Sequence, residues 1–363
     1  MLIKIIKLIN FKIFWKEPKP KKVLVYDRFS LKFAETLFKK NDLSIYDVRN
    51  ESINFAILFK TIFKNGFNSI KKNYKFEYFK SVKPKIVYTS IDNNLGFYQL
   101  KKVYPQAIYV ADQNGMRDNK FYEQCKNFYK SSFNQKLYTD LFFCFGNNEK
   151  NRLRKVIKGK IVPLGNSLNN KLKIKKEKNK INKIIFVSGS SNEKTKLQNE
   201  IKVFKYLKKI CDNENLKLSF LDKPNKKRKK ILEKKINFKF HYIMSGNLKK
   251  KQKFLKPSTL FVFKYSTFGY EILSTGIRCV CLNHKKLSHG FKKYKNSGPF
   301  WLDAPSYNYK YVLIEKVIKK VLNYKKSEWI KIYKFFSSQI MVYDNNNKKK
   351  IKIIQLFTKV KHG

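Results

Sequence analysis

The sequence predicts an α/β protein built from two domains, each with a doubly wound parallel sheet. Short β-prone runs alternate with helical stretches in two blocks, residues 22–165 and residues 183–282. Such alternation favours parallel sheets, because each helix returns the chain to the edge where the next strand starts. Between the blocks, the run NNKLKIKKEKNK has no apolar period and is typical of a solvated linker.

A chain of 363 residues is long enough for two domains, each with its own core. A hydrophobic content of 42% and an aromatic content of 16% supply apolar side chains for both. The predicted divisions are an N-terminal domain over residues 21–168, a linker over 169–182, a C-terminal domain over 183–325 and C-terminal helices over 326–363. Residues 1–20 are predicted to form a separate amphipathic helix.

The first block contains six β-prone runs that are apolar and mostly end in polar residues or glycine. As predicted strands they cover residues 22–28, 43–49, 85–92, 107–112, 140–145 and 160–164. Helical patterns lie between them, over residues 31–40, 53–63, 68–81, 95–103, 121–138 and 149–157. Strands buried on both faces have near-continuous apolar sequences of this kind.

The second block repeats the alternation. Its predicted strands cover residues 183–187, 216–221, 238–244, 260–263 and 278–282, with helices over 192–211, 226–235 and a short stretch after residue 266. Residues 284–306 are predicted to form a loop. The chain is then expected to end in helices over residues 311–322, 327–343 and 349–361.

The stretch 260–282, LFVFKYSTFGYEILSTGIRCVCL, is the main candidate for a ligand site. It has the pattern of a strand, a turn, a short helix and a strand, with Ser266 and Thr267 at the helix start and Gly276 at its end. In a parallel sheet, the helix start and Glu271 then lie at the carboxyl edge, where such sheets bind ligands and helix N-termini favour phosphate. An ordinary capped βαβ unit would show the same pattern.

A second group of candidates follows the first strand of this block. Ser188, Gly189 and Ser190 lie between that strand and a long helix. Backbone N–H groups and hydroxyls at such a turn suit a diphosphate. We therefore expect these residues to bind a diphosphate together with Ser266 and Thr267.

The first block places polar residues after two strands that are neighbours if the strands pair in sequence order. These residues are Asp92, Asn93 and Asn94 after one strand, and Gln113, Asn114 and Arg117 after the next. Amides suit sugar hydroxyls and a guanidinium suits phosphate, so this edge predicts an acceptor site. Turn chemistry alone also accounts for Asn and Gly at strand exits.

The pattern in residues 260–282 resembles the donor-nucleotide motif of GT-B glycosyltransferases, which consist of two Rossmann-like domains. In that family the glutamate accepts hydrogen bonds from ribose and the helix start faces the diphosphate, roles that the resemblance gives to Glu271, Ser266 and Thr267. The segments VYDRFS, VRNESIN, IDNN, QNGMR, FGNNEK and SGPFW also resemble bacterial surface-carbohydrate biosynthesis proteins, which are assigned to lipopolysaccharide or capsule assembly. This second resemblance covers most of residues 22–305.

The resemblance implies a nucleotide-sugar donor and, as acceptor, a growing surface polysaccharide or a lipid-linked glycan. An inverting transfer needs a general base at the acceptor hydroxyl, for which Asp92 and then Asp27 are the candidates because both lie at strand exits. No Asp-x-Asp pair occurs, and GT-B enzymes neutralise the leaving diphosphate with helix dipoles and basic side chains. We therefore expect no metal and no cofactor besides the nucleotide sugar.

Two other functions stay open at this stage. A nucleotide-sugar epimerase shares this fold and a similar glutamate segment, and should carry more carboxylates and histidines in its cleft. A non-catalytic GT-B-like scaffold in glycan assembly would bind glycan without turning over a nucleotide sugar.

The net charge of +57 would normally indicate nucleic-acid binding. However, only 7 of the 82 basic residues are arginines, and surfaces that read bases favour arginine for its bidentate fork. The lysines are spread over nearly every predicted helix. This distribution predicts a general attraction to anionic surfaces and no specific nucleic acid.

Residues 1–15, MLIKIIKLINFKIFW, predict an interfacial helix on an anionic membrane leaflet, with packing on the protein's own surface as the alternative. The sequence shows no secretion-signal pattern and no apolar run long enough to span a bilayer. Five scattered cysteines suit a reducing compartment. We expect a cytoplasmic protein, peripheral on the inner face of the membrane.

Cys279, Cys281, His284 and His289 are residue types that bind zinc. The two cysteines fall on one face of a predicted buried strand, where cysteine packs well. The sequence therefore favours a core role for them over a metal site.

Overall fold

Two six-stranded sheets, in which every strand pair is parallel, form the frame of the molecule and confirm the predicted fold class. The computed structural model describes residues 12–49, 52–131, 137–173, 180–189, 193–223, 225–236, 240–242, 247–264, 266–284, 300–304 and 309–362. Most of the predicted strands recur within a few residues of their expected positions.

The N-terminal half holds the first sheet. Its strands are β1 (Lys12–Phe14), β2 (Val23–Tyr26), β3 (Leu43–Tyr46), β4 (Ser52–Asn54), β5 (Ile86–Thr89), β6 (Ile108–Asp112), β7 (Leu137–Cys144) and β8 (Ile157–Pro163). Its helices are α1 (Leu31–Ala34), α2 (Phe55–Asn65), α3 (Ile70–Val82), α4 (Leu100–Val103), α5 (Asn119–Ser131) and α6 (Asn147–Leu153). The sheet order is β3-β2-β5-β6-β7-β8, and β1 pairs with β4 in a separate two-stranded sheet.

The C-terminal half holds the second sheet and the final helices. Its strands are β9 (Lys183–Val187), β10 (Lys217–Asp222), β11 (Phe240–Tyr242), β12 (Thr259–Phe263), β13 (Cys279–His284) and β14 (Trp301–Ala304). Its helices are α7 (Lys194–Asn213), α8 (Lys226–Lys235), α9 (Leu248–Phe254), α10 (Thr267–Ser274), α11 (Tyr311–Asn323), α12 (Lys326–Ile340) and α13 (Lys348–His362). The strand order is β11-β10-β9-β12-β13-β14. Successive strands are added on one side of β9 up to β11 and on its other side from β12 onwards, as in dinucleotide-binding sheets.

Alternate residues of each strand enter different cores. In β2, Leu24 packs with Val87 on one face of the first sheet, while Val23 and Val25 pack with Tyr88 on the other. All five side chains are fully buried. Both faces are covered, which is why these strands are apolar without interruption, and each buried aliphatic side chain stabilises the fold by about 1.5–3 kcal/mol.

The final helices cross from the second domain to the first. The backbone nitrogen of Val342 donates to the carbonyl of Phe145 at 2.8 Å, and Ile354 of α13 lies in a core of the first sheet. Gly165 allows this crossing because its φ is +68° and a Cβ there would lie 1.8 Å from the carbonyl oxygen of Val342. The two domains are therefore tied together by the C-terminal segment.

The interfacial helix predicted for the N-terminus is wrong where the structure describes it. Lys12–Phe14 is a strand, in register with Ser52–Asn54. Residues 1–11 lie outside the described residues. The side chain of Asn54 holds the following turn by donating to the carbonyl oxygen of Lys16 at 2.8 Å.

The solvated linker is also wrong for its first part. Ser167, Asn169 and Asn170 are fully buried. Asn170 donates to the carbonyl of Leu164 at 2.9 Å and to the side chain of Asn347 at 2.8 Å. This stretch is polar because its amides are used in buried hydrogen bonds, whereas residues 174–179 lie outside the described residues.

Three further differences concern single elements. Trp301–Ala304 is a strand inside the predicted loop, and Leu248–Phe254 is a helix where none was predicted. The helix expected over residues 31–40 is limited to Leu31–Ala34.

Candidate active site at the carboxyl edges of the two sheets

The loops that follow β6 and β12 meet at the boundary between the domains. The hydroxyl oxygen of Thr267 lies 3.5 Å from the backbone nitrogen of Met116. Ser266 occupies the N-cap position of α10 with an extended backbone, but its side chain makes no capping hydrogen bond. The N-terminus of α10 therefore opens beside the switch point between β9 and β12, where open sheets of this kind bind ligands.

Glu271 lies one turn into α10 and is only 5% exposed. Its Oε2 is 2.5 Å from the Nζ of Lys251, which is 7% exposed and belongs to α9. The Lys251 ammonium also lies 4.8 Å from the centroid of the Phe268 ring. A carboxylate paired in this way is fixed in position one turn from the helix N-terminus.

A second lysine approaches this pair from the other domain. Burial lowers the pKa of Lys32, in α1, and the positive charge of Lys251 lowers that pKa further. Lys32 lies on the side of the first domain against which α9 packs, with its Nζ 4.4 Å from the centroid of the Phe29 ring. Leu248 of α9 packs against the core that contains Phe33 of α1, which supports the same approach.

Ser188 and Gly189 follow β9 as expected, but their polar groups are used inside the second domain. The Ser188 hydroxyl donates to Glu200 at 3.0 Å and accepts from Arg228 at 2.8 Å. The Gly189 backbone nitrogen donates to Glu200 at 3.1 Å. Arg228 also pairs with Asp222, and all three charged side chains are nearly fully buried. Ser190 lies outside the described residues.

Lys264 directly follows β12, lies next to this cluster and is 1% exposed. Burial lowers its pKa to about 8, against the opposing attraction of Glu200. The residue lies between the Glu200 cluster and the turn that leads into α10. Among the described lysines at this edge of the second sheet, Lys264 has the pKa that is lowered most.

Asp92 and Arg117 are neighbours, as the sequence predicts, but they bind each other. The Arg117 Nε donates to Asp92 at 2.7 Å and its NH2 group also contacts that carboxylate. Asp92 is fully buried and also accepts from the Asn114 backbone at 3.3 Å, while Asn114 accepts from Arg117 at 2.9 Å. In this arrangement Asp92 presents no free oxygen to an acceptor hydroxyl.

The remaining amides on this edge differ in exposure. Asn93 is exposed, and Asn94 caps the following turn by accepting from the Gly96 nitrogen at 3.1 Å. Gln113 is fully buried and connects the Phe145 nitrogen to Glu149, at 2.8 and 3.1 Å. Gln113 therefore holds two strand exits together and is not accessible to a glycan.

Asp27 lies at the switch point of the first sheet, between β2 and β5, with a strained backbone. Its φ of 84° and ψ of 127° are unusual for a residue other than glycine, and such strain clusters at functional sites. One carboxylate oxygen accepts from the Phe29 nitrogen and the other from Arg49, both at 2.8 Å. The Arg49 side chain is 56% exposed, so this ion pair borders solvent.

The next question is whether cysteine, histidine or carboxylate side chains near this edge form a metal site. Among the described residues, no group of three or more His, Cys, Asp or Glu side chains is placed to hold a metal ion. Cys279 and Cys281 are buried in β13, and His289 lies outside the described residues. His241 lies in the edge strand β11, which β10 separates from β9 at the switch point, and packs against Phe254.

Sequence reasoning missed Lys251, Lys32 and the Glu200–Arg228 pair. One signal for Arg228 was available, because it is one of only 7 arginines and stands within the lysine run KKRKK. The lysines gave no signal, since the chain contains so many of them.

Comparison with known proteins places the chain in a family. A family model described as "putative O-antigen biosynthesis protein" matches residues 110–358, which is more than half of the chain. The chain belongs to this family. No curated protein matches the sequence.

Solved structures of similar fold share little sequence with this O-antigen biosynthesis family member. MnaA from S. aureus, solved with UDP, is 12% identical over 94% of this chain and 98% of that one, with a TM-score of 0.52. A UDP-GlcNAc 2-epimerase from Methanocaldococcus jannaschii, in complex with UDP-GlcNAc and UDP, is 14% identical over 93% and 99%, with a TM-score of 0.51. The wall teichoic acid polymerase TagF is 12% identical over 96% and 92%, with a TM-score of 0.54. The fold is GT-B-like.

Proposed function

We propose that this protein is a metal-independent glycosyltransferase that uses a nucleotide-sugar donor to extend a surface polysaccharide or a lipid-linked glycan. The observation that carries the proposal is the buried Lys251–Glu271 pair beside the N-terminus of α10, where α9 packs against the core that contains α1 of the other domain. A buried ammonium beside a helix N-terminus favours an anion there. The diphosphate of a nucleotide sugar is such an anion, and the O-antigen family supports a glycan context.

In this proposal, side chains and a helix N-terminus of the second domain bind the nucleotide-sugar donor, together with Lys32 of the first domain. Lys251, Lys32 and the dipole of α10 stabilise the leaving diphosphate, with Ser266 and Thr267 at the helix start. Lys251 orients Glu271 through Oε2, and Oε1 of Glu271 accepts hydrogen bonds from the ribose hydroxyls. Ser188 and Gly189 act indirectly, by fixing the turn beside the phosphates.

On the acceptor side, Asp27 is the general base that we favour over Asp92. Asp92 is saturated by Arg117, whereas the partner of Asp27 is the exposed Arg49, whose displacement would free one carboxylate oxygen. The amides of Asn93 and Asn94 lie at the rim and are assigned to glycan hydroxyls. Gln113, Asn114 and Arg117 hold these loops in shape.

The direct test is the thermal stability of the purified protein with UDP, CDP, GDP, CMP and UDP-sugars. A nucleotide at about 100 times its dissociation constant stabilises the fold by about 2.7 kcal/mol. We expect one nucleobase to give this increase in the wild type, and Glu271→Gln and Lys251→Met to abolish it. Glu233→Gln, an exposed glutamate changed in the same way, should respond like the wild type.

For each variant, the quantity compared is the increase in stability on adding nucleotide. The stability without nucleotide is not compared, because Glu271→Gln removes a buried ion-pair partner and lowers that stability by itself. If no nucleotide stabilises the wild type, the donor site is wrong and a non-catalytic scaffold is favoured. If a UDP-sugar is converted to its 2-epimer without any acceptor, as NMR would show, the protein is an epimerase. Release of the nucleotide diphosphate only when a glycan acceptor is present supports the transferase.

A further inference from the structure

An unusual group of exposed aromatic side chains lies on the N-terminal domain. Trp15 is 69% exposed, Phe59 47%, Phe63 86% and Phe67 74%. Large apolar groups rarely gather in the open on a soluble protein unless they bind something. We call Trp15, Phe55, Phe59, Phe63 and Phe67 the aromatic face.

The members of this face are connected. The Trp15 ring stacks on the Phe55 ring with 4.8 Å between centroids, and Phe55 contacts Phe59 at 5.8 Å. Phe63 lies one helical turn beyond Phe59 on α2, and Phe67 follows the turn at the end of that helix. Ile13 and Phe14, each nearly half exposed, adjoin Trp15 in β1.

Strand pairing and side-chain hydrogen bonds fix the aromatic face on the N-terminal domain. β1 pairs with β4, which leads directly into α2, so Trp15 and the α2 phenylalanines are fixed relative to each other. Glu17 joins Lys60 of α2, at 2.9 Å, to Ser81 of α3, at 3.0 Å. The exposed rings therefore sit on a rigid base and are not the tip of a loose loop.

The charge around the face is positive. Residues 12–20 and 55–65 together contain five lysines and a single acidic residue, Glu17, which is already paired with Lys60. Lys64 lies between Phe63 and the end of α2 with 52% of its side chain exposed. Residues 1–11, which join the chain to β1, have the sequence MLIKIIKLINF with two lysines and no acidic residue.

We propose that the aromatic face is a docking surface for an anionic lipid bilayer. Tryptophan and phenylalanine insert at the level of lipid headgroups, and lysines among them reach the anionic phosphates. A protein partner fits less well, because lysine is depleted in the cores of protein interfaces. The inference is independent of the proposed chemistry, so it can fail while nucleotide binding stands.

The test uses the full chain and vesicles of phosphatidylcholine with or without about 30% phosphatidylglycerol. We expect cosedimentation with the anionic vesicles and weak or no binding to the neutral ones. Phe59→Ser/Phe63→Ser should weaken partitioning about tenfold or more. The matched control is Phe335→Ser/Val360→Ser, which removes two exposed apolar side chains from α12 and α13 and should leave partitioning unchanged.

Depth is measured by quenching of tryptophan fluorescence with brominated lipids. Trp15 should be quenched in vesicles, and Trp15→Phe should remove most of that signal, because Trp329 is only 1% exposed and the partly buried Trp301 belongs to β14 of the other domain. Equal partitioning of wild type and Phe59→Ser/Phe63→Ser would overturn the proposal. So would a lipid-free dimer of the wild type that the same double variant dissociates, since a second copy would then cover the face. Nucleotide-induced stabilisation of the double variant should equal that of the wild type.

Discussion

The side chains of Asp92 and Arg117 form a bidentate ion pair in which the carboxylate is fully buried. Burial lowers the pKa of Arg117, but the charge and hydrogen bonds of Asp92, together with Tyr98 and Glu149, give a net rise. Such pairs often add little net stability compared with apolar residues, yet breaking one leaves an uncompensated charge. The pair therefore fixes how the exits of β5 and β6 lie relative to each other.

Arg117→Ala should lower the free energy of unfolding by about 3–5 kcal/mol, because it leaves the buried Asp92 carboxylate without a cation. Urea denaturation monitored by circular dichroism measures this. Arg154→Ala, at an exposed arginine of the same domain, should change stability by no more than about 0.5 kcal/mol. A loss at Arg117 as small as that at Arg154 would contradict the burial described for Asp92.

Lys264 makes the stability of the second domain depend on pH. Burial lowers its pKa from 10.5 to about 8 in the folded protein, so between these values the unfolded chain holds a proton that the folded chain has lost. The free energy of unfolding should therefore rise with pH across this window. Relative to Lys264→Met, the wild type should gain on the order of 1–3 kcal/mol between pH 8 and pH 10.5.

Denaturation series at several pH values give the difference between wild type and variant, which cancels the titration of the other lysines. Lys249→Met, at an exposed position on α9, is the control and should give a difference that does not change with pH. A flat difference for Lys264→Met would mean that this ammonium keeps its ordinary pKa.

For single residues, the sequence predicts which side chains come close to one another but not which partners they bind. Strand-exit positions were enough to bring Asp92 and Arg117 together, because neighbouring parallel strands end at one edge. That Ser188 faces Glu200 depends on how α7 lies on the sheet, which no local pattern encodes. Lys251 was undetectable for a simpler reason, since it is one lysine of a helix that has three others.

Elements were predicted where their apolar period was clear. The strand Lys183–Val187 and the helix Lys226–Lys235 match their predicted bounds, because a continuous apolar run and an unbroken helix-forming run are unambiguous. The helix Leu248–Phe254 was missed because it has only seven residues, of which four are lysine. Tertiary contacts of Leu248 and Lys251 stabilise it, in agreement with the rule that short helices need packing.

The helix α13 depends on a fully buried lysine. Lys350 lies 2.7 Å from Asp112 at the end of β6 and also donates to the Gly165 carbonyl and the Ser167 hydroxyl, each at 2.8 Å. Lys350→Ala should lower the free energy of unfolding by about 3–5 kcal/mol, because Asp112 is left buried without its cation. Hydrogen exchange should show faster exchange in α13 before the rest of the chain.

Lys352→Ala is the matched control, because it removes an exposed lysine two residues further along the same helix. It should change stability by no more than about 0.5 kcal/mol and leave exchange in α13 unaltered. If the two variants behave alike, α13 is held by its apolar contacts and the ion pair contributes nothing measurable.

At the scale of the whole molecule, the linker and the last helices make the two domains interdependent. Asn170 binds Asn347, and Val342 binds Phe145, so chain segments more than 170 residues apart fix the boundary. The sequence predicts the two parallel sheets of the fold, since each alternating block is self-contained. It does not predict this interlock, because buried amides and solvated amides have the same composition.

The net charge of +57 should make the folded protein more stable as salt is added. Raising sodium chloride from about 20 mM to about 300 mM shortens the screening length from about 20 Å to about 6 Å and weakens the repulsion between lysines in the compact state. Exposed ion pairs contribute little, and buried pairs such as Lys350–Asp112 are screened little, so their loss should not offset this gain. We expect the free energy of unfolding in urea to rise by about 1 kcal/mol or more. A fall in stability over the same range would show that attraction among surface charges outweighs their repulsion.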